Sequence, residues 1–229
     1  MSGERVAVVT GASRGLGLAL ARALAARGWR LVIDARDPGA LEAAAAQLRE
    51  HTEVSALAGD VSDAWHREGL IEAAGERIEL LVNNASTLGP SPLPALRDYP
   101  LSELEAVLRV NVLAPLALIQ LALPRMTRGT IINVTSDAAG EPYPGWGGYG
   151  ASKAALEQLT TILAAEHPEL RFYAADPGDM RTAMHQAAFP GQDISDRPEP
   201  EHSVPGMLAL IEDAPASGRY RVQDWAEVA

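Results

Sequence analysis

Short apolar runs alternate along this sequence with longer stretches in which apolar residues recur at helical spacing. The first run, at 6–9, leads into a helical stretch at 15–27, and the same succession recurs almost to the end of the chain. Runs that predict strands lie at 6–9, 30–34, 54–58, 80–82, 130–134, 171–175 and 219–222. Stretches that predict helices lie at 15–27, 40–50, 62–75, 101–126, 149–166 and 203–212. We expect Ser62 to cap the third helix and Pro115 to bend the fourth.

This alternation predicts the α/β class, with a parallel sheet that is covered by helices on both faces. Because crossovers between parallel strands are right-handed, we expect a Rossmann-like, doubly wound sheet of about seven strands. No internal repeat or linker divides the sequence, so residues 1–229 are expected to form a single domain. Residues 183–200 are rich in Pro and Asp, and we expect them to form a mobile surface loop at the ligand-binding edge.

Composition narrows the classes of function. The 229 residues are 47% hydrophobic and 21% charged, which is typical of a globular protein, and the net charge of −11 without a basic stripe argues against a nucleic-acid partner. The chain has no cysteine, which excludes disulfides and thiolate chemistry, and its histidines show no metal-ligand spacing, so no metal is expected. We find no signal-peptide pattern and judge no apolar run long enough for a membrane span, so we expect a cytoplasmic protein without a membrane partner.

A glycine-rich turn lies between the first predicted strand and the first predicted helix. Gly11, Gly15 and Gly17 allow backbone N–H groups to approach a diphosphate, and the helix N-terminus favours its negative charge. A tight turn without a ligand is the alternative. The position of the turn, after the first strand of an alternating chain, favours a dinucleotide.

Charged residues near this turn bear on which dinucleotide is bound. An acid about 20 residues beyond the glycines binds the ribose hydroxyls of NAD, whereas a nearby arginine accommodates the additional phosphate of NADP. Asp34 is an acid of the first kind, and Arg14 and Arg36 are arginines of the second kind. A surface ion pair between Asp34 and either arginine is the alternative to a ribose contact. The arginines favour NADP(H), and Asp34 leaves NAD(H) open.

Ser136, Tyr149 and Lys153 have the types and the spacing of a proton-transfer site. Tyr149 and Lys153 stand at i and i+4 of a predicted helix and therefore share one face. An ammonium near a phenol favours the phenolate, so the pKa of the phenol is expected to fall from about 10 towards neutrality. A hydroxyl from another segment can then hold a substrate oxygen beside the phenol. The alternatives are an ordinary surface pair for Tyr149 and Lys153 and a loop cap for Ser136.

Together these residues resemble the short-chain dehydrogenase/reductase family, in its single-domain branch. The resemblance covers nearly the whole chain, and it rests on segments similar to the family's motifs: Thr-Gly-x3-Gly-x-Gly at 10–17, Asn-Asn-Ala at 83–85, Ser-x12-Tyr-x3-Lys at 136–153 and Pro-Gly at 177–178. It implies an oxidoreductase that acts on CH–OH groups with NAD(P) and interconverts a small-molecule carbonyl and an alcohol by hydride transfer.

The resemblance also implies roles for individual residues. Tyr149 would be the general acid or base, and Lys153 would lower its pKa and hold the nicotinamide ribose. Ser136 would align the substrate oxygen, and Asn111 would anchor a water that links Lys153 to solvent. A buried polar group satisfied within the fold is the alternative for Asn111. The implied cofactor-binding residues are Gly11, Ser13, Arg14, Gly15, Leu16, Gly17, Arg36, Asp60, Val61, Asn84, Ala85, Tyr149, Lys153, Pro177, Gly178 and Thr182.

Among these positions, Asp60 would contact the adenine and Thr182 the nicotinamide amide, although Asp60 as a simple turn residue is an equal alternative. Ser86 and Asp179 depart from the family's pattern, because a glycine usually stands at the first position and an apolar residue near the second. The nearby aromatic residue Trp146 lines the substrate pocket or packs elsewhere. The same two alternatives hold for the loop residues Met184, His185 and Phe189.

Broad apolar faces on the helices at 101–126 and 147–166 are typical of dimer and tetramer interfaces in the resembling family. We therefore expect a homodimer or a homotetramer, with a monomer as the alternative. Two other functions stay open: a non-catalytic cofactor-binding sensor or scaffold, and dehydration or isomerisation on the same fold. Acyl-carrier-bound ketones, steroid-like ketones and small aldehydes are all candidate substrates, and the direction and stereochemistry are not indicated by the sequence.

Overall fold

A computed structural model describes residues 5–225, and within these residues seven parallel strands form one sheet. The order across the sheet is β3-β2-β1-β4-β5-β6-β7. The strands are β1 (Val6–Val9), β2 (Arg30–Ala35), β3 (Val54–Ala58), β4 (Leu80–Asn83), β5 (Thr130–Val134), β6 (Arg171–Asp176) and β7 (Gly218–Arg221). The predicted doubly wound α/β class is confirmed. The ends of the predicted domain, residues 1–4 and 226–229, lie outside the described residues.

Helices connect the strands and cover both faces of the sheet. They are α1 (Gly15–Ala25), α2 (Pro38–Leu48), α3 (Ala64–Ala74), α4 (Leu101–Leu108), α5 (Ala114–Ala122), α6 (Gly147–Glu166), α7 (Ala183–Ala188), α8 (Val204–Glu212) and α9 (Val222–Trp225). Strand β1 shows why the strands are apolar runs. Ala7 and Val9 pack towards α1 and α8, whereas Val6 and Val8 pack towards α3 and α5. Both faces of the strand are buried, so both sets of alternating positions are apolar.

Capping residues set the starts of two helices differently from the prediction. Helix α3 begins after Asp63, whose carboxylate accepts a hydrogen bond from the main-chain N–H of His66 at 3.1 Å. The prediction that Ser62 caps this helix is therefore wrong. Helix α2 begins at Pro38, two residues earlier than predicted, because Asp37 caps it and a proline is well suited to the first helical position.

The long helical stretch predicted at 101–126 is divided by a π-helical segment, Arg109–Leu113. Pro115, in the first turn of α5, has no N–H to donate to the carbonyl of Asn111. The irregularity therefore lies just before the proline. By length and composition, residues 101–125 are apolar enough to cross a membrane, contrary to the expectation from the sequence. Here Leu118 and Ile119 pack against the sheet.

Residues 183–200 begin with a helix where the sequence predicted a mobile surface loop. They begin with α7, and ion pairs fasten the segment to the residues that follow β6. Arg197 lies 3.2 Å from the carboxylate of Asp179, and Arg181 pairs with Glu199. The prediction of a surface loop is therefore wrong for the first third of the segment, which is helical, and the ion pairs join the rest of it to the residues after β6.

Candidate active site

The glycine-rich turn leaves no room for side chains where it meets the end of β4. Gly11 and Gly15 have positive φ angles of 68° and 58°, which side chains rarely permit. A Cβ atom on Gly17 would lie 2.5 Å from both the Asn84 amide nitrogen and the Gly11 carbonyl oxygen. The three glycines are therefore required by the local backbone geometry, whether or not a ligand is bound.

The N-terminus of α1 is open to an anion. Arg14 occupies the N-cap position, and within the described chain no side chain caps the first turn. The N–H groups of Gly15, Leu16 and Gly17 therefore remain available, and the helix dipole favours negative charge there. A methyl group of Thr182 lies 3.7 Å from the position of a Cβ on Gly15, so α7 begins beside the turn. This arrangement fits a diphosphate between the turn and the start of α7.

Asn84 and Ala85 join the end of β4 to the same turn. Thr10 Oγ1 accepts hydrogen bonds from the main-chain N–H groups of Asn84 and Ala85, each at 3.0 Å. The Asn84 side chain donates to the Thr10 carbonyl oxygen at 2.8 Å. These bonds bring two predicted cofactor-binding residues against the turn and fix its position relative to β4. Ser13 lies within the turn and is half-buried.

Asp34 is not a surface residue. Its side chain is buried, its Oδ1 accepts a hydrogen bond of 2.7 Å from the Gly11 N–H, and its Oδ2 lies 2.9 Å from His66 Nε2. The proposed ion pair between Asp34 and Arg14 or Arg36 is therefore wrong. The sequence carried no signal for this contact, because 32 residues separate His66 from Asp34.

Arg36 and Asp60 lie near each other at the carboxyl ends of β2 and β3. Burial acts to raise the pKa of Asp60, but hydrogen bonds from Ser62 and the charges of Arg36 and His66 bring that pKa below its ordinary value. Asp60 Oδ1 accepts the Ser62 N–H at 2.8 Å, so the turn role is present. Val61, next to it, is buried. Arg14 and Arg36 are both exposed, and neither forms an ion pair within residues 5–225.

Tyr149 lies in the first turn of α6, where its side chain is almost completely buried. Burial raises the pKa of the phenol, and the carboxylates of Asp176 and Asp137 raise it further. Side-chain hydrogen bonds with Ser136 and Ser86 lower it by less. The expectation that this pKa falls towards neutrality is therefore wrong for the protein alone, because desolvation and two negative charges oppose the phenolate.

Lys153 lies one turn after Tyr149, on the same face of α6 as predicted. Its Nζ donates to the Val134 carbonyl oxygen at 2.8 Å and lies 5.4 Å from the centre of the Tyr149 ring. Burial lowers the pKa of Lys153 to about 8, although Glu157 acts to raise it. Both side chains are buried, so the alternative of an ordinary surface pair is wrong.

Ser136 follows β5 and caps a short 3-10 turn, Asp137–Ala139. Its Oγ accepts from the Ala138 N–H at 3.2 Å and donates to the Asp137 carboxylate at 3.0 Å. Tyr143 donates to the other oxygen of Asp137 at 2.9 Å. The loop-cap role is thus real, and it coexists with the position of the hydroxyl beside the Tyr149 phenol. Asp137 was not among the residues predicted from the sequence.

Asn111 uses its whole side chain to hold the backbone around the site. Its Nδ2 donates to the Thr87 carbonyl oxygen and to Ser152 Oγ, both at 2.9 Å. Its Oδ1 accepts from the Thr87 N–H at 2.9 Å and from Ser86 Oγ at 3.1 Å. Both amide hydrogens are committed, so no side-chain donor remains for a further partner. Ser86, the departure from the family's glycine, joins this network.

The Pro-Gly segment after β6 is held from three directions. Gly178, with a φ of 70°, donates its N–H to Asp176 at 3.0 Å, and the Pro177 carbonyl accepts from Ser203 at 2.8 Å and from Gln223 at 2.9 Å. The segment leads into Thr182, whose hydroxyl caps α7 by accepting the His185 N–H at 3.1 Å. These residues therefore line the same edge of the sheet as the glycine turn.

Aromatic side chains form one wall beside the phenol. The ring centroids of Trp146 and Tyr149 are 5.8 Å apart, and those of Trp146 and Phe189 are 6.0 Å apart. His185 stacks at 5.0 Å against Phe189, and Met184 packs into the same cluster. The structure therefore brings the residues named from the 183–200 segment to the Tyr149 side of the sheet.

The sequence profile of the short chain dehydrogenases matches residues 5–193, which is most of the chain. The chain belongs to the short-chain dehydrogenase family. The predicted family and the predicted oxidoreductase class are both confirmed.

Curated relatives of this short-chain dehydrogenase include two reductases. It is 38% identical over 176 residues to a 3-oxoacyl-(acyl-carrier-protein) reductase of rhamnolipid biosynthesis from Pseudomonas aeruginosa. That match covers 71% of the chain and 66% of the relative, so the chain spans slightly less than two thirds of the relative's length. It is also 34% identical over 211 residues to mouse sepiapterin reductase, with 81% of the chain and 78% of the relative covered.

A solved structure with a similar fold contains a dinucleotide. A short chain dehydrogenase from Shigella flexneri 2a, solved in complex with NADP, superimposes on this short-chain dehydrogenase with a TM-score of 0.86 and 27% identity. The match covers 96% of this chain and 97% of the Shigella protein.

Proposed function

We propose that this chain is an NADP(H)-dependent oxidoreductase that interconverts a carbonyl and an alcohol by hydride transfer, with Tyr149 as the proton donor or acceptor. The observation that carries the proposal is the buried Tyr149 phenol beside the hydroxyls of Ser136 and Ser86. These hydroxyls lie at the same edge of the sheet as the uncapped N-terminus of α1. The N-terminus of α1 would hold the diphosphate of a dinucleotide, whose nicotinamide end would then lie towards the phenol.

The ribose end of the cofactor site favours NADP(H) over NAD(H). Asp34, the acid that would bind ribose hydroxyls, already has both carboxylate oxygens engaged. Arg14 in the glycine turn and Arg36 just after β2 are exposed cations, and guanidinium groups bind phosphate well. The Shigella relative in complex with NADP supports the same choice.

We assign the cofactor to residues that line this edge from the glycine turn to α7. They are Gly11, Ser13, Arg14, Gly15, Leu16, Gly17, Arg36, Asp60, Val61, Asn84, Ala85, Tyr149, Lys153, Pro177, Gly178 and Thr182. When bound, the nicotinamide ring donates or accepts the hydride, and the protein supplies position and electrostatics.

Tyr149 holds the proton for the reaction at its Oη. Because the pKa of this phenol is raised, Tyr149 is protonated at neutral pH and ready to donate to a substrate carbonyl oxygen. Ser136 would turn its hydroxyl proton from the Asp137 carboxylate to the same substrate oxygen, where it would stabilise the charge that develops. Reduction of a carbonyl is therefore the direction for which this site is prepared, and oxidation of an alcohol requires that the phenol first lose its proton.

Lys153 and Asn111 support the proton transfer from behind the phenol. Lys153 would hold the nicotinamide ribose, and its charge near Tyr149 would make loss of the phenolic proton less costly. The Asn111 carbonyl lacks an α-helical donor because Pro115 has no N–H, so this carbonyl accepts the water that returns the proton. The Asn111 side chain keeps the Ser86–Thr87 backbone in place.

The substrate is a small carbonyl or alcohol with an apolar part. Trp146 and Phe189 pack against each other beside Tyr149 and present an apolar wall to it. The 3-oxoacyl reductase among the relatives supports a ketone as substrate. We propose that residues 1–229 act as a single cytoplasmic domain in which the 183–200 segment covers the substrate.

We further propose that the chain works as a homodimer or a homotetramer. Leu101 of α4, Leu113 of the π-helical segment and Ile162 of α6 are large apolar side chains that the single chain leaves exposed, at 74%, 58% and 43%. A second copy that packs on these helices removes this apolar surface from water.

Replacement of Tyr149 tests the proposed chemistry. We expect Tyr149→Phe to bind NADPH as the wild type does and to oxidise it at least about a hundredfold more slowly in the presence of ketones and aldehydes. Tyr99→Phe is the matched control, because the Tyr99 hydroxyl is buried without a hydrogen-bond partner within the described chain. Full turnover by Tyr149→Phe contradicts the assignment. A wild type that binds NADPH but reduces no carbonyl supports the cofactor-binding sensor or scaffold instead.

A further inference from the structure

We infer that His66 is a specificity-determining positioning residue, which selects NADP(H) by holding the Asp34 carboxylate away from the cofactor ribose. The inference rests on the proposed function, because it concerns how the same site distinguishes two dinucleotides. His66 belongs to α3, outside every segment from which the cofactor site was predicted, and it reaches the end of β2 only through the fold.

The imidazole of His66 is fixed from two sides. Its ring lies against Gly59, so closely that a Cβ atom on Gly59 would overlap the ring. Its main-chain N–H is bound by Asp63, the N-cap of α3, at 3.1 Å. Only 10% of its side-chain surface is exposed. In this position the Nε2 of the ring faces Asp34.

Asp34 is held just as firmly. The Gly11 N–H donates to Oδ1 at 2.7 Å, and His66 Nε2 lies 2.9 Å from Oδ2. The first bond ties the carboxylate to the glycine turn, and the second occupies the oxygen that a ribose hydroxyl would otherwise approach. A carboxylate with both oxygens engaged and only 1% of its surface exposed is a poor partner for NAD.

Arginines then provide the positive charge at the ribose end of the proposed cofactor site. Arg36 and His66 both lie close enough to Asp60 that their charges lower its pKa, which places the imidazole beside the predicted adenine and ribose site. With Asp34 withdrawn, the exposed cations at this edge are Arg14 and Arg36, and the charges of Arg36 and His66 oppose that of the nearby Asp60 carboxylate. NADP gains from these cations through its additional phosphate, whereas NAD loses its carboxylate partner.

Removal of the imidazole tests this inference. We expect His66→Leu to release Oδ2 of Asp34, so that NADH binds about tenfold more tightly and the preference for NADPH falls by about the same factor. His66→Gln is the matched control, because its amide Nε2 can replace the imidazole Nε2 and should retain the wild-type preference. Dissociation constants for NADPH and NADH are measured by isothermal titration calorimetry on each folded variant.

A double substitution separates the proposed role from general damage to the turn. Asp34→Asn combined with His66→Leu should lose the gain in NADH affinity, because no carboxylate is left to release. If His66→Leu does not fold, Asp34→Asn alone is informative: it should leave NADH affinity unchanged, and a several-fold loss would show that Asp34 already binds the ribose. The contact itself is read without cofactor from the NMR signals of the His66 imidazole, which should shift in Asp34→Asn.

The outcomes distinguish this inference from the proposed function. A wild type that binds neither dinucleotide, or prefers NADH, contradicts the proposed function. A wild type that prefers NADPH, together with an unchanged preference in folded His66→Leu, overturns the role of His66 alone. Equal weakening of both cofactors in His66→Leu also overturns it, because His66 would then only support the shape of the turn.

Discussion

The Nζ of Lys153 donates a hydrogen bond of 2.8 Å to the main-chain carbonyl oxygen of Val134, the last residue of β5. Ser136 follows Val134 closely in the chain, and Tyr149 lies on the same helix as Lys153. The bond therefore fastens the helix that carries the phenol to the strand that leads to the serine. In the protein without cofactor, it therefore fixes these two elements relative to each other.

The protonation state of Lys153 can be measured directly, because it is the only lysine in the sequence. Protein labelled at lysine side chains should give a single lysine NMR signal, and we expect its titration to yield a pKa of about 8, since burial disfavours the ammonium. Titration near the ordinary value of 10.5 would show that the side chain is solvated.

Stability should depend on pH through the same group. Because the pKa of Lys153 is lower in the folded protein than in the unfolded chain, the unfolded chain binds more protons between about pH 8 and pH 10.5. The free energy of unfolding therefore gains from this group as the pH rises through that window. Urea denaturation should show that the unfolding free energy of the wild type rises between pH 7.5 and pH 9.5 by about 1–2 kcal/mol more than that of Lys153→Met. A loss on raising the pH would contradict the shift.

Gly17 should tolerate no larger residue. A Cβ atom there would lie 2.5 Å from the Asn84 amide and from the Gly11 carbonyl, so we expect Gly17→Ala to lose about 1–3 kcal/mol of unfolding free energy and to weaken NADPH binding. Thermal and urea denaturation measure the first effect, and calorimetric titration the second.

Gly39→Ala is the control for this substitution. Gly39 lies in the first turn of α2, where a Cβ atom would make only an ordinary contact of 3.5 Å. The unfolding free energy should change by less than about 1 kcal/mol, with NADPH binding intact. Similar losses in both variants would mean that any alanine at these turns is harmful and that the packing against Asn84 is irrelevant.

The ion pair between Asp179 and Arg197 should restrain the segment that carries α7. We expect Asp179→Asn to increase amide hydrogen exchange across residues 183–199 by up to about fivefold, because an exposed pair contributes up to about 1 kcal/mol. Asp98→Asn is the control, since its pair with Arg97 at 3.1 Å joins neighbouring residues only. Unchanged exchange in α7 would show that Asp179 has no restraining role.

Most of the architecture could be predicted from hydrophobic periodicity. Strands β1, β3 and β5 begin and end where the sequence predicted. β1 and β5 are buried along their whole length, and such strands are largely apolar runs between polar turns. The helix at 101–126 was harder to predict. Its apolar pattern is continuous, and the π-helical segment inside it depends on main-chain bonding around Pro115 rather than on side-chain type.

Spacing along the chain also predicted the group of Ser136, Tyr149 and Lys153, because two of these residues share one helix. Contacts between distant segments cannot be predicted from spacing in this way. Neither the pairing of Asp34 with His66 nor the effect of Asp176 on Tyr149 follows from sequence separation. The direction of the Tyr149 pKa shift was missed for the same reason, since it is set by burial and by carboxylates from other elements.

Binding of NADP(H) is the central claim, because the proposed chemistry depends on it. Paired calorimetric titrations of NADPH and NADH into wild type, Arg36→Ala and the control Arg128→Ala test it most directly. Arg128 is an exposed arginine just before β5, at the end of the sheet opposite the proposed site. Its loss changes the net charge by the same amount as the loss of Arg36. We predict that the wild type binds NADPH more tightly than NADH. Arg36→Ala, but not Arg128→Ala, should weaken NADPH binding about tenfold or more and leave NADH binding unaffected. Tighter binding of NADH than of NADPH by the wild type would contradict the account.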